Sequence, residues 1–229
     1  MAKTKKEIDN VNLIIVRAFQ EILSLTKSAI GGDAFDKTVY NILHQHLKKV
    51  GFDDVSDKIW KKHYTEYKAL TGQGCFDFNG VSSKAGIQED SLIVDKPNGS
   101  QKWPDILVVF NKIGFPIEIK SSKDDLIVWN SGLPQPDRVY VFGCYDKGEV
   151  TIFMGEDVLS VQEYQQLKDM DAKSKTLCIT GNSLLKQSNS KWSYYPRPMY
   201  NSNEKYFSNL TIRKQREDKV FEFLKNMIW

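Results

Sequence analysis

The chain has 229 residues, enough for one substantial core with at most a small appendage. Apolar residues at 41% and charged residues at 27% match ordinary globular usage, which excludes disordered and fibrous classes. A net charge of +3, from 32 basic and 29 acidic residues, excludes a polycation that coats nucleic acid, so any DNA-binding surface is local.

From Ile8, the residues Val11, Ile15, Ala18, Phe19, Ile22 and Leu25 recur at helical spacing and predict an amphipathic helix ending before Gly31-Gly32. Asp33 reads as the N-cap of a second helix, with Val39, Ile42, Leu43, Leu47 and Val50 on one stripe and Gly51 as its stop. Residues 53–72 carry Ile59, Trp60, Tyr64 and Tyr67 in a weaker helical pattern that closes at Gly72 and Gly74. These elements make residues 1–72 a helical N-terminal part. Short β-rich runs follow at Leu92–Val94, Ile106–Phe110, Phe115–Ile119, Val139–Phe142 and Val150–Met154. They form a sheet region over 92–155. A helix is expected after Gly155, then a polar, aromatic and basic stretch over 181–206 without clear period. A closing helix follows, with Val220, Phe223, Leu224 and Met227 at core spacing. Helices flanking a central mixed β-sheet make the fold class α/β, in a single domain spanning 1–229.

No run approaches the about 18 apolar residues that span a bilayer. Lys3, Lys5 and Lys6 lead into an amphipathic stretch rather than a signal-peptide block, so the chain reads as cytoplasmic, with no membrane partner. Cys75, Cys144 and Cys178 are far apart and odd in number, which indicates neither a disulfide framework nor a zinc site. His44 and His46 point to different faces of one helix, and His63 stands alone.

The chemistry concentrates in Trp103-Pro104-Asp105-Ile106-Leu107-Val108-Val109-Phe110, a turn at Asn111-Lys112-Ile113-Gly114, and Phe115-Pro116-Ile117-Glu118-Ile119-Lys120. Glu118 and Lys120 are two apart on a strand and share a face, and Asp105 at the start of the partner strand can be brought beside them. Carboxylate oxygens are the hard donors that hold Mg²⁺ while water and a substrate phosphate complete its octahedron. The competing reading is a cross-strand ion pair on a solvated face, which requires Ile117 and Ile119 buried and the acids exposed.

Pro104-Asp105, twelve intervening residues and Glu118-Ile119-Lys120 resemble the PD-(D/E)XK nuclease superfamily, and within it the type II restriction endonucleases. A second pair, Pro136-Asp137, has no acid-x-Lys at a comparable distance downstream. The resemblance implies a restriction-endonuclease-like fold in a bacterial cytoplasmic protein. It implies catalysis by Asp105, Glu118 and Lys120, with Mg²⁺ as cofactor held by Asp105, Glu118 and Ile119. The expected function is site-specific double-strand cleavage of DNA, leaving 5′-phosphate and 3′-hydroxyl ends. Expected partners are double-stranded DNA, a second copy in a homodimer and, by analogy, a cognate DNA methyltransferase of a restriction-modification pair. The alternatives are a structure- or methylation-directed repair or recombination nuclease of the same fold, and a catalytically silent DNA-binding protein.

The resemblance reaches further. Gly31-Gly32-Asp33-Ala34-Phe35-Asp36 followed by Val39 looks like the early helix that carries an acid in type II enzymes, making Asp36 an outer metal or water-positioning ligand. An acid there also simply favours a helix N-terminus. Ser100, Gln101 and Lys102 before the catalytic strand, and Ser121, Ser122 and Lys123 after it, look like loops touching the scissile strand. Trp129-Asn130-Ser131-Gly132-Leu133-Pro134 resembles a segment placed in the major groove, where Asn130 and Ser131 could pair with base edges; a plain turn competes. Lys191 to Tyr200 interleaves aromatics with basic residues, and Tyr194 and Arg197 suit DNA contact. The same composition suits a rim loop packed on the sheet or on a second subunit.

Overall fold

A computed structural model describes residues 3–54, 76–77, 91–97, 103–111, 113–130, 132–195, 199–227 and 229. The helix expected over 53–72 falls outside these residues apart from its first two, which form a short strand. His63, Cys75, Ser100, Gln101, Lys102, Ser131 and Arg197 also lie outside them.

Helix α1 (Lys5–Leu23) is started by a capping box: Glu7 N–H donates to Thr4 Oγ1, and Thr4 N–H donates to Glu7 Oε2 at 2.8 Å. It stops at Ser24, and a single 3₁₀ turn over Lys27–Ala29 fills part of the stretch expected to be helical up to Gly31. Helix α2 (Gly32–Lys48) takes Gly31 as its N-cap. Asp33, expected as the cap, therefore sits inside the first turn, because the helix begins one residue before it.

Among the described residues nine strands follow: β1 (Asp53–Asp54), β2 (Phe76–Asp77), β3 (Ser91–Asp95), β4 (Ile106–Phe110), β5 (Ile113–Ser122), β6 (Val128–Trp129), β7 (Val139–Cys144), β8 (Glu149–Met154) and β9 (Tyr200–Asn201). The main sheet runs β1-β3-β4-β5-β7-β8, with β2 also paired to β5. Its β1-β3 and β5-β7 pairs are parallel, and its other pairs are antiparallel. The sheet is therefore mixed, and with flanking helices the fold is α/β. Strand β5 is longer than the expected Phe115–Ile119 run. Phe110 pairs Ile113 across a two-residue turn, and the other end of β5 stays bonded to β7 through Ser121 and Ser122. Ser121 and Ser122, expected in a loop, are thus strand residues. Asn111 takes a positive φ of 46° in the turn, a conformation asparagine tolerates better than most residues.

One face of the sheet is covered by α1, α2 and the last helix, α4 (Leu210–Lys225). Val11, Ile15, Phe19, Val39, Leu43, Val220 and Leu224 share a core there with Ile93, Ile106, Ile117, Ile119, Val141 and Ile152. The opposite face buries Tyr140, Phe142, Cys144 and Phe153 beneath Ile127, Trp129, Tyr206 and Phe207. Asp125 fastens this cover, accepting from Tyr206 N–H at 2.7 Å, Phe207 N–H at 3.0 Å and Ser208 Oγ at 3.0 Å. The C-terminus is locked by Asn12, which donates to the Lys225 and Met227 carbonyls and accepts from Trp229 Nε1. Helix α3 (Val161–Gln187) extends through residues 181–187, where no helical period was expected; an uncharged stretch with Gly181 and weak helix formers hides its continuation. Among the described residues, no helix is long and apolar enough to cross a membrane.

Candidate active site

The β4-β5 hairpin is short and fully paired, so its register fixes the site. Ile106 pairs Ile117, and continuing that register sets Asp105 opposite Glu118. Residues alternate faces along a strand. Ile117 and Ile119 enter the helix-side core, so Glu118 and Lys120 project from the other face, in register with Tyr140 and Phe142.

Asp105 Oδ2 accepts the Ile119 N–H at 2.8 Å, and Lys120 Nζ donates to Glu118 Oε1 at 2.6 Å. Glu118 is only 7% exposed, so the solvated ion-pair reading loses the exposed acid it requires. Its second oxygen, Oε2, is buried and accepts no hydrogen bond from the described residues. A buried carboxylate oxygen left without a donor is costly unless something positive meets it. Asp105 tells the same story: burial, then the Glu118 charge, pushes its carboxyl up to about 7, although the Ile119 N–H and Lys120 pull it down. Burial and the Glu118 charge together outweigh the pull of the Ile119 N–H and Lys120 on Asp105.

The donor set fits a hard divalent cation. Asp105 and Glu118 offer carboxylate oxygens, and Ile119, with its side chain in the core and its N–H taken by Asp105, has its main-chain oxygen to offer. Among the described residues, no three His, Cys, Asp or Glu side chains stand together as a metal cluster. The third acid, Asp36, pairs with Lys96 at 3.3 Å. Asp36 is five residues into α2, past the first turn where an acid caps a helix. Its charge nevertheless reaches Asp105.

Gly143 on β7 brings α2 close enough for that. A Cβ on Gly143 would lie 2.8 Å from the Phe35 ring and 2.9 Å from the Ile30 methyl. Only glycine lets Phe35 lie against the sheet, and Phe35 is the residue before Asp36.

Two basic residues escape the motif. Lys96 follows β3, and its N–H donates to the Asp105 carbonyl at 2.7 Å. Burial acts against its ammonium, but Asp36, Asp95 and Asp105 outweigh burial and raise its pKa. Arg138, 7% exposed, lays its guanidinium 3.5 Å from the Trp103 ring centroid. It braces the segment that delivers Asp105, and burial lowers its pKa despite the nearby charges of Tyr140, Asp137 and Glu118. Its signal lay in the second pair, Pro136-Asp137: Arg138 immediately precedes β7, the parallel neighbour of β5.

Comparison with protein-family models, curated proteins and solved structures gave no match.

The expected DNA contacts divide. Ser122 alternates with Ser121 onto the Lys120 face and gives its hydroxyl to Asp124 at 3.0 Å. Ser121 turns to the other face, so the two serines do not act together. Lys123 and Asn130 are exposed. Trp129, by contrast, is buried edge-on against Tyr140, and it pairs with Tyr200 in the β6-β9 sheet. Lys120 Nζ lies 6.0 Å from its ring centroid. Tyr194 is exposed, with its main chain bonded to Asn182 of α3.

Proposed function

We propose that this chain is a Mg²⁺-dependent DNA endonuclease of the PD-(D/E)XK superfamily, of the type II restriction class. On this reading its fold is restriction-endonuclease-like, and it cuts both strands of duplex DNA at a specific sequence. The observation that carries the reading is the Asp105-Glu118 pair, half-buried at Asp105 and buried at Glu118, with a Glu118 oxygen unpartnered among the described residues and Lys120 bonded alongside. A cross-strand pair made for stability alone would satisfy all its oxygens or leave them to water.

Asp105, Glu118 and the Ile119 main-chain oxygen would hold the cation. Bound Mg²⁺ supplies charge to a phosphodiester and acidity to a water. Lys120, placed by Glu118, carries the ammonium that orients the attacking water or meets charge growing on the phosphate oxygens. Water oxygen bonds to phosphorus, the bond to the 3′-oxygen breaks, and a proton ends on that oxygen. Asp36 and Lys96 form a second charged pair beside Asp105, suited to positioning water at the edge of the site. Exposed Lys123, Asn130 and Tyr194 provide polar and aromatic groups for the DNA. Two copies would cut the two strands, and a cognate methyltransferase would protect the site.

The test is digestion of long linear duplex DNA by the full chain with Mg²⁺ or with EDTA. Discrete fragments ending in 5′-phosphates, formed only with Mg²⁺, are expected. A smear would transfer the reading to a structure-directed nuclease, and intact DNA over a range of substrates would overturn it.

A further inference from the structure

The sheet puts a third residue in the row that holds the two acids. Asp95 of β3 pairs Ile106, and Ile106 pairs Ile117, so one step further along Lys96, Asp105 and Glu118 stand in line across three strands. The Lys96 N–H, donating to the Asp105 carbonyl at 2.7 Å, fixes that line. Strand β3 ends at Asp95, and Lys96 turns the chain with a φ of 44°. Its ammonium meets Asp36 of α2 at 3.3 Å. One residue thus grips Asp105 by its main chain and Asp36 by its side chain.

The left-handed backbone makes the identity of this residue informative. Among the described residues, three non-glycine residues have a positive φ: Asn111, Asn189 and Lys96. Asparagine tolerates that region and lysine does so poorly. A following proline, here Pro97, restricts the residue before it further. Glycine would take the same turn without strain and keep the N–H that binds Asp105. The lysine is therefore there for its side chain. Stability does not account for it, because the Lys96 and Asp36 side chains are 25% and 23% exposed and solvent screens such a pair. Strain that the fold does not need is a mark of function.

The charges around Asp36 say what the side chain does. Asp36 and Asp105 repel each other, since the Asp36 charge is felt at Asp105. Phe35, wedged against Gly143, fixes the backbone of α2 there and leaves the Asp36 rotamer to be set by its neighbours. Lys96 counters the repulsion with the opposite charge.

We propose that Lys96 is a positioning residue, which holds the Asp36 carboxylate at the edge of the Asp105-Glu118 pair so that Asp36 can orient water there. Lys120 is bonded to Glu118 on the other side of the same row, and the two lysines have different tasks: Lys120 faces the phosphate, whereas Lys96 acts through Asp36. This role rests on the nuclease reading.

The decisive variant is Lys96→Gly, assayed in the full chain by thermal melting, Mg²⁺ calorimetry and single-turnover cleavage of duplex DNA. It should melt no lower than wild type, because glycine accepts the turn, and bind Mg²⁺ at least as tightly, because a positive charge beside the acids is gone. It should nevertheless cleave at least about tenfold more slowly. Lys96→Arg should recover most of that rate, since it returns the charge. Lys96→Gly combined with Asp36→Asn should be no slower than the slower single variant, because both remove one function. Losses that multiply in the double variant would make Lys96 act on the DNA by itself and overturn the proposal. Slowing that comes with a lower melting temperature would also overturn it, by making the residue structural. A wild type that leaves DNA intact overturns the nuclease reading and this role with it; a cutting wild type beside a full-rate Lys96→Gly overturns this role alone.

Discussion

Lys120 lies 2.6 Å from Glu118, and its role follows from what that contact leaves free. An ammonium has three donors, and one is spent on Glu118. The others face a site that would hold a phosphate. Lys120→Ala should therefore slow single-turnover cleavage by about two orders of magnitude or more, while metal affinity, measured by calorimetry, changes much less. An unimpaired rate would make the lysine structural. Asp36 asks for a different comparison. Its pair with Lys96 is partly exposed and contributes under about 1 kcal/mol. Asp36→Asn should accordingly leave the melting temperature almost unchanged yet cut the rate at least tenfold. A variant that melts lower but cleaves at the wild-type rate would reduce Asp36 to a structural ion pair with Lys96.

Element by element, α2 and the β4-β5 hairpin set the site between them. Gly143→Ala forces the Phe35 ring to move, since the new methyl would sit 2.8 Å from it. Overpacking of this kind costs about 1–3 kcal/mol, and the shift passes directly to Asp36. Denaturant unfolding should show that loss, and cleavage should fall with it; wild-type stability would mean that α2 slides freely on the sheet. The hairpin was legible in the sequence because a period of two and a tight turn determine which side chains meet. Asp105, Glu118 and Lys120 meet as expected. Lys96 and Arg138 were not legible, because they arrive from the neighbouring strands β3 and β7, and strand order is not written in local periodicity. The short strand Val128–Trp129 was hidden for a different reason: a turn-like run of Asn, Ser, Gly and Pro follows it directly. The far half of α3 was masked by residues that disfavour helix in isolation.

At the scale of the whole molecule, the crowding of Asp105 against Glu118 should appear in stability. The Asp105 carboxyl is raised from 3.8 to about 7 in the folded chain. The folded state thus holds its proton more tightly than the unfolded state, and stability falls as pH rises from about 4 through 7. The loss is up to about 4 kcal/mol. Thermal melts without metal at pH 5 and pH 8 should show it, and Asp105→Asn should remove that part of the pH dependence. Mg²⁺ should restore stability at pH 8 and do little at pH 5, because it favours the ionised pair. Equal pH profiles for wild type and Asp105→Asn would contradict the burial argument.

The most direct measurement is cleavage of a long duplex by wild type, Asp105→Ala and Glu118→Ala, each with Mg²⁺ and with duplex binding followed in parallel. The account predicts cutting by wild type alone, and duplex binding retained by all three, because removing an acid leaves the positive DNA contacts in place. Cleavage within tenfold of wild type by either variant would contradict it.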